Sequence, residues 1–263
     1  MKPDEQMIRR EFDWAGGALS GLFRPGGAPI LFLHGLSGGA VHFDRAFEAE
    51  ALDGRGLLAV DLPGFGESAA ARRVEIAAQV DACRTALGQA RFERPWVVAH
   101  SMAASAAARL AAESRGVILL EGNLLPRDLA FSDRVLGIAE ADFPAEYAKI
   151  QKAAETILKM QTRLSDRDAR ARYAETWRRC GAEAVRRVAL EINADTRAAE
   201  PLRLLRGCGR PVVAYFGDAK PGLPAAVEEL GLRTRIIPRA DHFPMLDNPA
   251  ATYAAIGEDA IPC

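Results

Sequence analysis

The 263-residue chain sets 34 Lys and Arg against 35 Asp and Glu, with 49% hydrophobic and 26% charged residues. That length suits one large α/β domain or a domain carrying an insertion, and the composition is that of a folded globular chain. A net charge of -1 supplies no field to draw phosphate backbones or anionic lipid, so neither nucleic acid nor a membrane surface is an expected partner.

The opening MKPDEQMIRREFDW lacks the basic start and apolar stretch of a signal peptide, and no run of about 18 apolar residues marks a membrane span. The cytoplasm is the expected location. MIRREFDW and ALSGLFR read as a hairpin joined at Ala15-Gly16-Gly17. PILFLH (29–34), GLLAVD (56–61), PWVVAH (95–100) and GVILLEG (116–122) follow as short apolar runs. Amphipathic stretches at 42–51, 74–90 and 102–113 lie between them. Such alternation predicts β-α-β units and a mostly parallel, buried sheet.

From Pro126 to about Arg197 the strand signals stop and the pattern turns polar, arginine-rich and helical. PVVAYFG (211–217), a helix near 224–230, RTRIIP (233–238) and a last helix from Asn248 complete the chain. The expected organisation is a core of 1–125 and 198–263 with a helical cap, 126–197, inserted between its halves. Cys83, Cys180, Cys208 and Cys263 are scattered without a C-x-x-C pair, so neither a metal site nor a redox dithiol is signalled.

Four strand ends carry motifs: HGLSGG (34–39), DLPGFGES (61–68), AHSMA (99–103) and ADHFPMLDNP (240–249). In this order they resemble the α/β-hydrolase superfamily across nearly the whole chain, which implies an α/β-hydrolase fold with an N-terminal hairpin and a cap. Ser101 then falls where the family places its nucleophile. A nucleophile elbow needs small neighbours two residues away on either side, because strand and helix nearly touch there. Glycine is usual; Ala99 and Ala103 each add only a methyl. The plainer reading of Ser101 is a helix N-cap before an alanine-rich helix.

A serine hydroxyl needs a base. Among the four histidines, His100 should pack under the elbow, since adjacent strand residues point to opposite faces. His34 should support the glycine loop, and His42 opens a helix. His242, in a loop after the last strand, sits in HFPMLDNP, which resembles the family's histidine turn. The resemblance assigns the oxyanion donors to the backbone amides of Leu36 and Met102, and His34, Gly35 and His100 are expected beside the substrate.

The acid departs from the common pattern. The family's usual aspartate slot after PVVAYFG holds Lys220, with Asp218 two residues early. Some haloalkane dehalogenases and their relatives instead carry the acid after the preceding strand, and Gly116 to Pro126 matches that spacing with Glu121 in the acid position. A glutamate closing an apolar strand would be costly to bury unpaired, whereas Asp218 has an alternative role as a turn former. Glu121 is favoured over Asp218, with Asp128 a distant third.

Phe131, Phe143, Tyr147, Met160, Tyr173 and Trp177 of the insertion should pack the cap, a few of them lining an apolar pocket. Arginines at 163, 167, 170, 172, 178, 179, 186 and 187 read as a solvated face paired with acids. The function expected is a cofactor-independent serine hydrolase of a small, apolar acyl ester, thioester or lactone. Alternatives are a carbon-carbon bond hydrolase or cofactor-free oxygenase on the same fold, and a non-catalytic ligand-binding protein. A serine at the elbow argues against dehalogenase or epoxide hydrolase chemistry, both of which need an aspartate there. The sequence does not choose between a monomer and a homodimer.

Overall fold

A computed structural model describes residues 6–219 and 222–261. Eight strands form one sheet in the order β1-β2-β4-β3-β5-β6-β7-β8, antiparallel across β1, β2 and β4 and parallel from β4 onward. The hairpin pairs β1 (Ile8–Trp14) with β2 (Gly17–Arg24), and Trp14 faces Gly17 across a two-residue turn. β3 (Gly27–Leu33), β4 (Arg55–Asp61), β5 (Trp96–His100), β6 (Gly116–Leu120), β7 (Val212–Gly217) and β8 (Arg233–Ile237) fall on the expected strand segments, each trimmed or extended by one or two residues.

The central strands β4, β5 and β6 are buried along their whole length. Layers on both faces explain why their sequences run apolar instead of alternating. One face packs on α1 (Ile76–Ala90), α2 (Ala104–Leu110) and the helices of the insertion. The other is closed by residues 40–48, Phe243 to Leu246 and the C-terminal helix.

The 42–51 segment, expected as an α-helix, is wound instead as two 3-10 stretches, Ala40–Glu48 and Glu50–Leu52. The first stretch buries His42, Phe43, Asp44, Ala46 and Phe47. Tertiary packing of these side chains overrides the α-helical pattern.

Between β6 and β7 the regular structure is all helical among the described residues. It runs through a short 3-10 turn at Pro126–Leu129, α3 (Ala130–Leu136), α4 (Phe143–Lys152), α5 (Ala154–Gln161), α6 (Arg167–Arg179), α7 (Ala182–Arg197) and α8 (Glu200–Gly207). Asp166 caps α6 by accepting from the amides of Asp168 and Ala169. α8 lies beyond the expected end of the helical block; its first turn carries Pro201 and its inner face buries Leu202 and Leu205. After β7 come α9 (Gly222–Glu228), α10 (Pro244–Asp247) and α11 (Pro249–Asp259). Among the described residues no helix is long and apolar enough to cross a membrane.

Candidate active site

β5 ends at His100, and the next residue, Ser101, takes φ +53 before the chain turns into a short 3-10 stretch and then α2. A non-glycine residue in that left-handed region is strained and persists only where its surroundings hold it. Ala99, Ala103 and Ala104 around it are fully buried. A Cβ built on Gly122 would already touch that of Ala104 at 3.4 Å, so alanine uses the space available. The caps of the two helical stretches are His100 and Ala103, so Ser101 is not the helix cap. Its hydroxyl donates instead to Asn123 Oδ1 at 3.3 Å.

Across β5 lies the HGLSGG loop. Gly38 N–H donates to Gly35 O at 2.9 Å, closing a four-residue turn whose third residue, Ser37, has φ +62. Gly35 has no room for a side chain: a Cβ there would lie 2.7 Å from His100 Nδ1 and 3.1 Å from Ser101 Cβ. This close approach sets Leu36 at the wall of the cavity beside Ser101 and Met102. No protein acceptor takes the Leu36 amide among the described residues. Met102 occupies the first turn of its helix, where backbone N–H groups lack intrahelical partners.

His34 braces the turn from below. Leu62 N–H donates to its Nε2 at 2.9 Å, which leaves the proton on Nδ1 to donate to Gly35 O at 2.8 Å. Burial lowers its pKa to about 4, so the ring stays neutral and keeps that tautomer. Asp61 of DLPGFGES holds the far end of the loop by accepting from Ala40 N–H at 2.7 Å, and Arg9 pairs with its other oxygen at 2.6 Å.

His242 follows β8 in the loop leading to α10. Its Nδ1 lies 3.6 Å from Glu121 Oε2, an ion-pair distance longer than a hydrogen bond. Glu121, itself at φ +48 just past β6, is buried, and its Oε1 accepts from Gly217 N–H at 2.8 Å. His100 lies under the imidazole with ring centroids 4.9 Å apart, and its Nε2–H donates to the His242 carbonyl at 2.8 Å. Burial drives the His100 pKa well below its usual value, so this ring too is neutral.

The other carboxylates stand apart from the imidazole. Asp218 accepts from the amides of Arg239 at 2.8 Å and Ala240 at 3.3 Å and pairs with Arg163 at 3.1 Å. Those amides, helped by the Arg163 charge, lower its pKa. Asp128 accepts from Leu124 and Leu125 N–H at 3.0 and 2.8 Å, and burial raises its pKa. Lys220, which fills the family's usual acid slot, and Cys263 lie outside the described residues.

The cavity above Ser101 measures about 660 Å³. Ser101, Glu121, Asn123 and His242 lie on its wall, with Leu36, Phe131, Met160, Ile192, Phe216 and Leu223 supplying apolar surface. His34, Gly35 and His100, expected beside the substrate, are not among the lining residues: both rings are almost wholly buried behind the wall. Of the insertion's aromatic and methionine side chains, Phe131 and Met160 reach the cavity, whereas Phe143, Tyr147, Tyr173 and Trp177 are packed in the interior.

Most of the arginines of the insertion meet acids: Arg172 on Asp44, Arg178 on Glu155 and Glu175, Arg179 on Glu67, and Arg187 on Glu75. Arg170 and Arg186 donate to backbone carbonyls instead. Asn123, three residues past the end of β6, is the site residue that sequence reasoning missed. Its only signal was its place two residues after Glu121.

Residues 30–256 match the family described as "Alpha/beta hydrolase family". The chain belongs to that family. No curated protein matches it. Among solved structures it is similar to E-2-(acetamidomethylene)succinate hydrolase, with 20% identity, TM-score 0.73, and 97% of this chain and 99% of that one covered. A putative aryl esterase from Burkholderia cenocepacia gives 16% identity and TM-score 0.73 over 95% and 97% of the two chains. A haloalkane dehalogenase loop variant from Bradyrhizobium elkanii gives 16% and 0.76 over 97% and 96%. These likenesses establish the shared fold.

Proposed function

We propose that this α/β hydrolase cleaves a carboxylic ester, or a related thioester or lactone, through an acyl-enzyme on Ser101. The observation that carries the reading is the left-handed Ser101 at the end of β5, on the wall of the same cavity as an imidazole backed by a buried glutamate. Such strain is expected where a hydroxyl must be held clear of the sheet edge.

In this mechanism His242 Nε2 takes the Ser101 proton as the oxygen attacks the acyl carbon, and later returns it to the leaving alcohol. Glu121 faces Nδ1, keeps the proton on that nitrogen and compensates the imidazolium. With one of its oxygens tied to Gly217 N–H, the carboxylate is aimed before substrate arrives. The Leu36 and Met102 amides receive the oxyanion. The ground-state bond from Ser101 to Asn123 must yield before attack; at 3.3 Å it is long for an O–H donor and weak. Residues 126–197 act as the cap over this site, supplying Phe131, Met160 and Ile192 to an acyl pocket. The small-molecule substrate is held without metal or cofactor, in a cytoplasmic setting.

The test is fluorophosphonate labelling with mass mapping of the adduct, alongside turnover of short p-nitrophenyl esters. Labelling at Ser101, with a loss of at least about 10⁴-fold in Ser101→Ala, supports the mechanism. Wild-type rates in Ser101→Ala would overturn it.

A further inference from the structure

We propose that Tyr147 and Thr176 are positioning residues: through them helices α4 and α6 hold the Gly35–Gly38 turn in the shape that presents the Leu36 amide to the oxyanion. The inference rests on the serine hydrolase reading above. It starts from an anomaly in the turn. A turn with positive φ at its third residue strongly favours glycine there, and glycines already fill positions 35, 38 and 39, yet position 37 holds a serine at φ +62. Serine in that region is strained. What it offers in return is a hydroxyl, and that hydroxyl has a buried partner. Ser37 Oγ lies 3.0 Å from Tyr147 Oη of α4, both groups being buried.

The other side of the same residue is held by α6. Thr176 Oγ1 donates to Ser37 O at 3.0 Å, sharing its proton with Tyr173 O at 2.8 Å, one turn back in its own helix. The neutral, buried His42 ring brings Nε2 within 3.3 Å of both Thr176 Oγ1 and Tyr173 O, which fixes the threonine rotamer. The backbone makes room for this contact: a Cβ on Gly39 would lie 2.9 Å from Thr176 Cγ2 and 3.0 Å from Asp61 Oδ1.

His34 and Asp61 brace the turn from the sheet. Ser37, its most strained residue, is held by side chains that belong to the insertion. The Gly38 N–H to Gly35 O bond closes the turn around Leu36 and Ser37, so a change in the Ser37 backbone is passed through that closed turn to the Gly35–Leu36 peptide that carries the Leu36 N–H. A donor displaced by even about 1 Å from the oxyanion loses much of its catalytic effect. Docking of α4 and α6 therefore completes the catalytic machinery without lining the pocket itself.

The variants are Ser37→Gly, Tyr147→Phe, Thr176→Val and the conservative Thr176→Ser, each assayed for ester turnover, the rate of Ser101 labelling, thermal stability, and hydrogen exchange of residues 34–40. Ser37→Gly and Tyr147→Phe should lower kcat by at least about 10-fold with KM changed by less than about twofold. Amide exchange in 34–40 should accelerate in both. Ser37→Gly should melt no lower than wild type, since relief of strain offsets the lost hydrogen bond. Thr176→Val should lose activity and Thr176→Ser retain it. Turnover, labelling and exchange all at wild-type levels in Ser37→Gly and Tyr147→Phe would overturn the inference while leaving the serine mechanism intact. A wild-type protein that neither labels at Ser101 nor turns over esters would overturn both.

Discussion

Exchanging a single charge separates the two acids. Glu121→Gln keeps the size of the side chain, and its amide oxygen can still accept from Gly217 N–H as Oε1 does at 2.8 Å. The amide NH₂ then faces His242 Nδ1 where Oε2 stood at 3.6 Å, setting donor against donor and favouring the wrong tautomer. The lost electrostatic term follows from the same distance: a unit charge pair at that separation is worth about 5 kcal/mol at an effective dielectric of ~20. Applied to an imidazolium formed only in the transition state, this corresponds to a loss of kcat of roughly 10³- to 10⁴-fold. Asp218→Asn should behave differently, because its carboxylate serves the amides of Arg239 and Ala240 and the Arg163 guanidinium at the surface. Its rate should stay within about threefold of wild type. Steady-state p-nitrophenyl ester kinetics, with thermal melts to confirm folding, measure both. An Asp218→Asn rate that collapses beside a Glu121→Gln rate near wild type would refute the reasoning.

Other outcomes follow from the buried rings and the elbow. His34 and His42 are each lowered from 6.5 to about 4 by burial, so the unfolded chain binds more protons between those values. Stability should fall as pH drops through that window, each ring contributing about 3 kcal/mol that is fully present above pH 6.5. Thermal melts across that range should show the loss in wild type and a shallower slope in a folded His42→Gln variant. Ala103→Val adds two methyls where the side chain is fully buried; a cost of about 1–3 kcal/mol in denaturant unfolding is expected, together with slower Ser101 labelling. His100→Leu removes the donor to the His242 carbonyl and should lower kcat by about 10-fold. His100→Gln, which can restore an N–H there, should recover part of it; equal activity in all three proteins would remove His100 from any positioning role.

Strands β3 to β7 were legible because a buried parallel sheet writes itself as apolar runs of five to seven residues; β8, RTRII, is an edge strand with only Ile237 buried. The family membership was legible in HGLSGG, DLPGFGES and HFPMLDNP, since each motif meets a local need of backbone or turn that few residue types satisfy. The winding of 40–48 was not, because a 3-10 and an α pattern of apolar residues overlap over so short a stretch. Nor could composition say which aromatics of the insertion face the cavity: Phe131 and Phe143 are the same residue type, and only the packing of α3 and α4 separates them.

Local sequence determined where the chain could place a strained serine, a glycine-walled turn and a histidine loop, because backbone strain and close approach act over a few neighbouring residues. Tertiary structure alone decided which carboxylate meets the imidazole and what holds Ser37. Those contacts join residues separated by more than a hundred positions, Glu121 to His242 and Ser37 to Tyr147 and Thr176. At such separations only the stacking of strands and helices sets the distance.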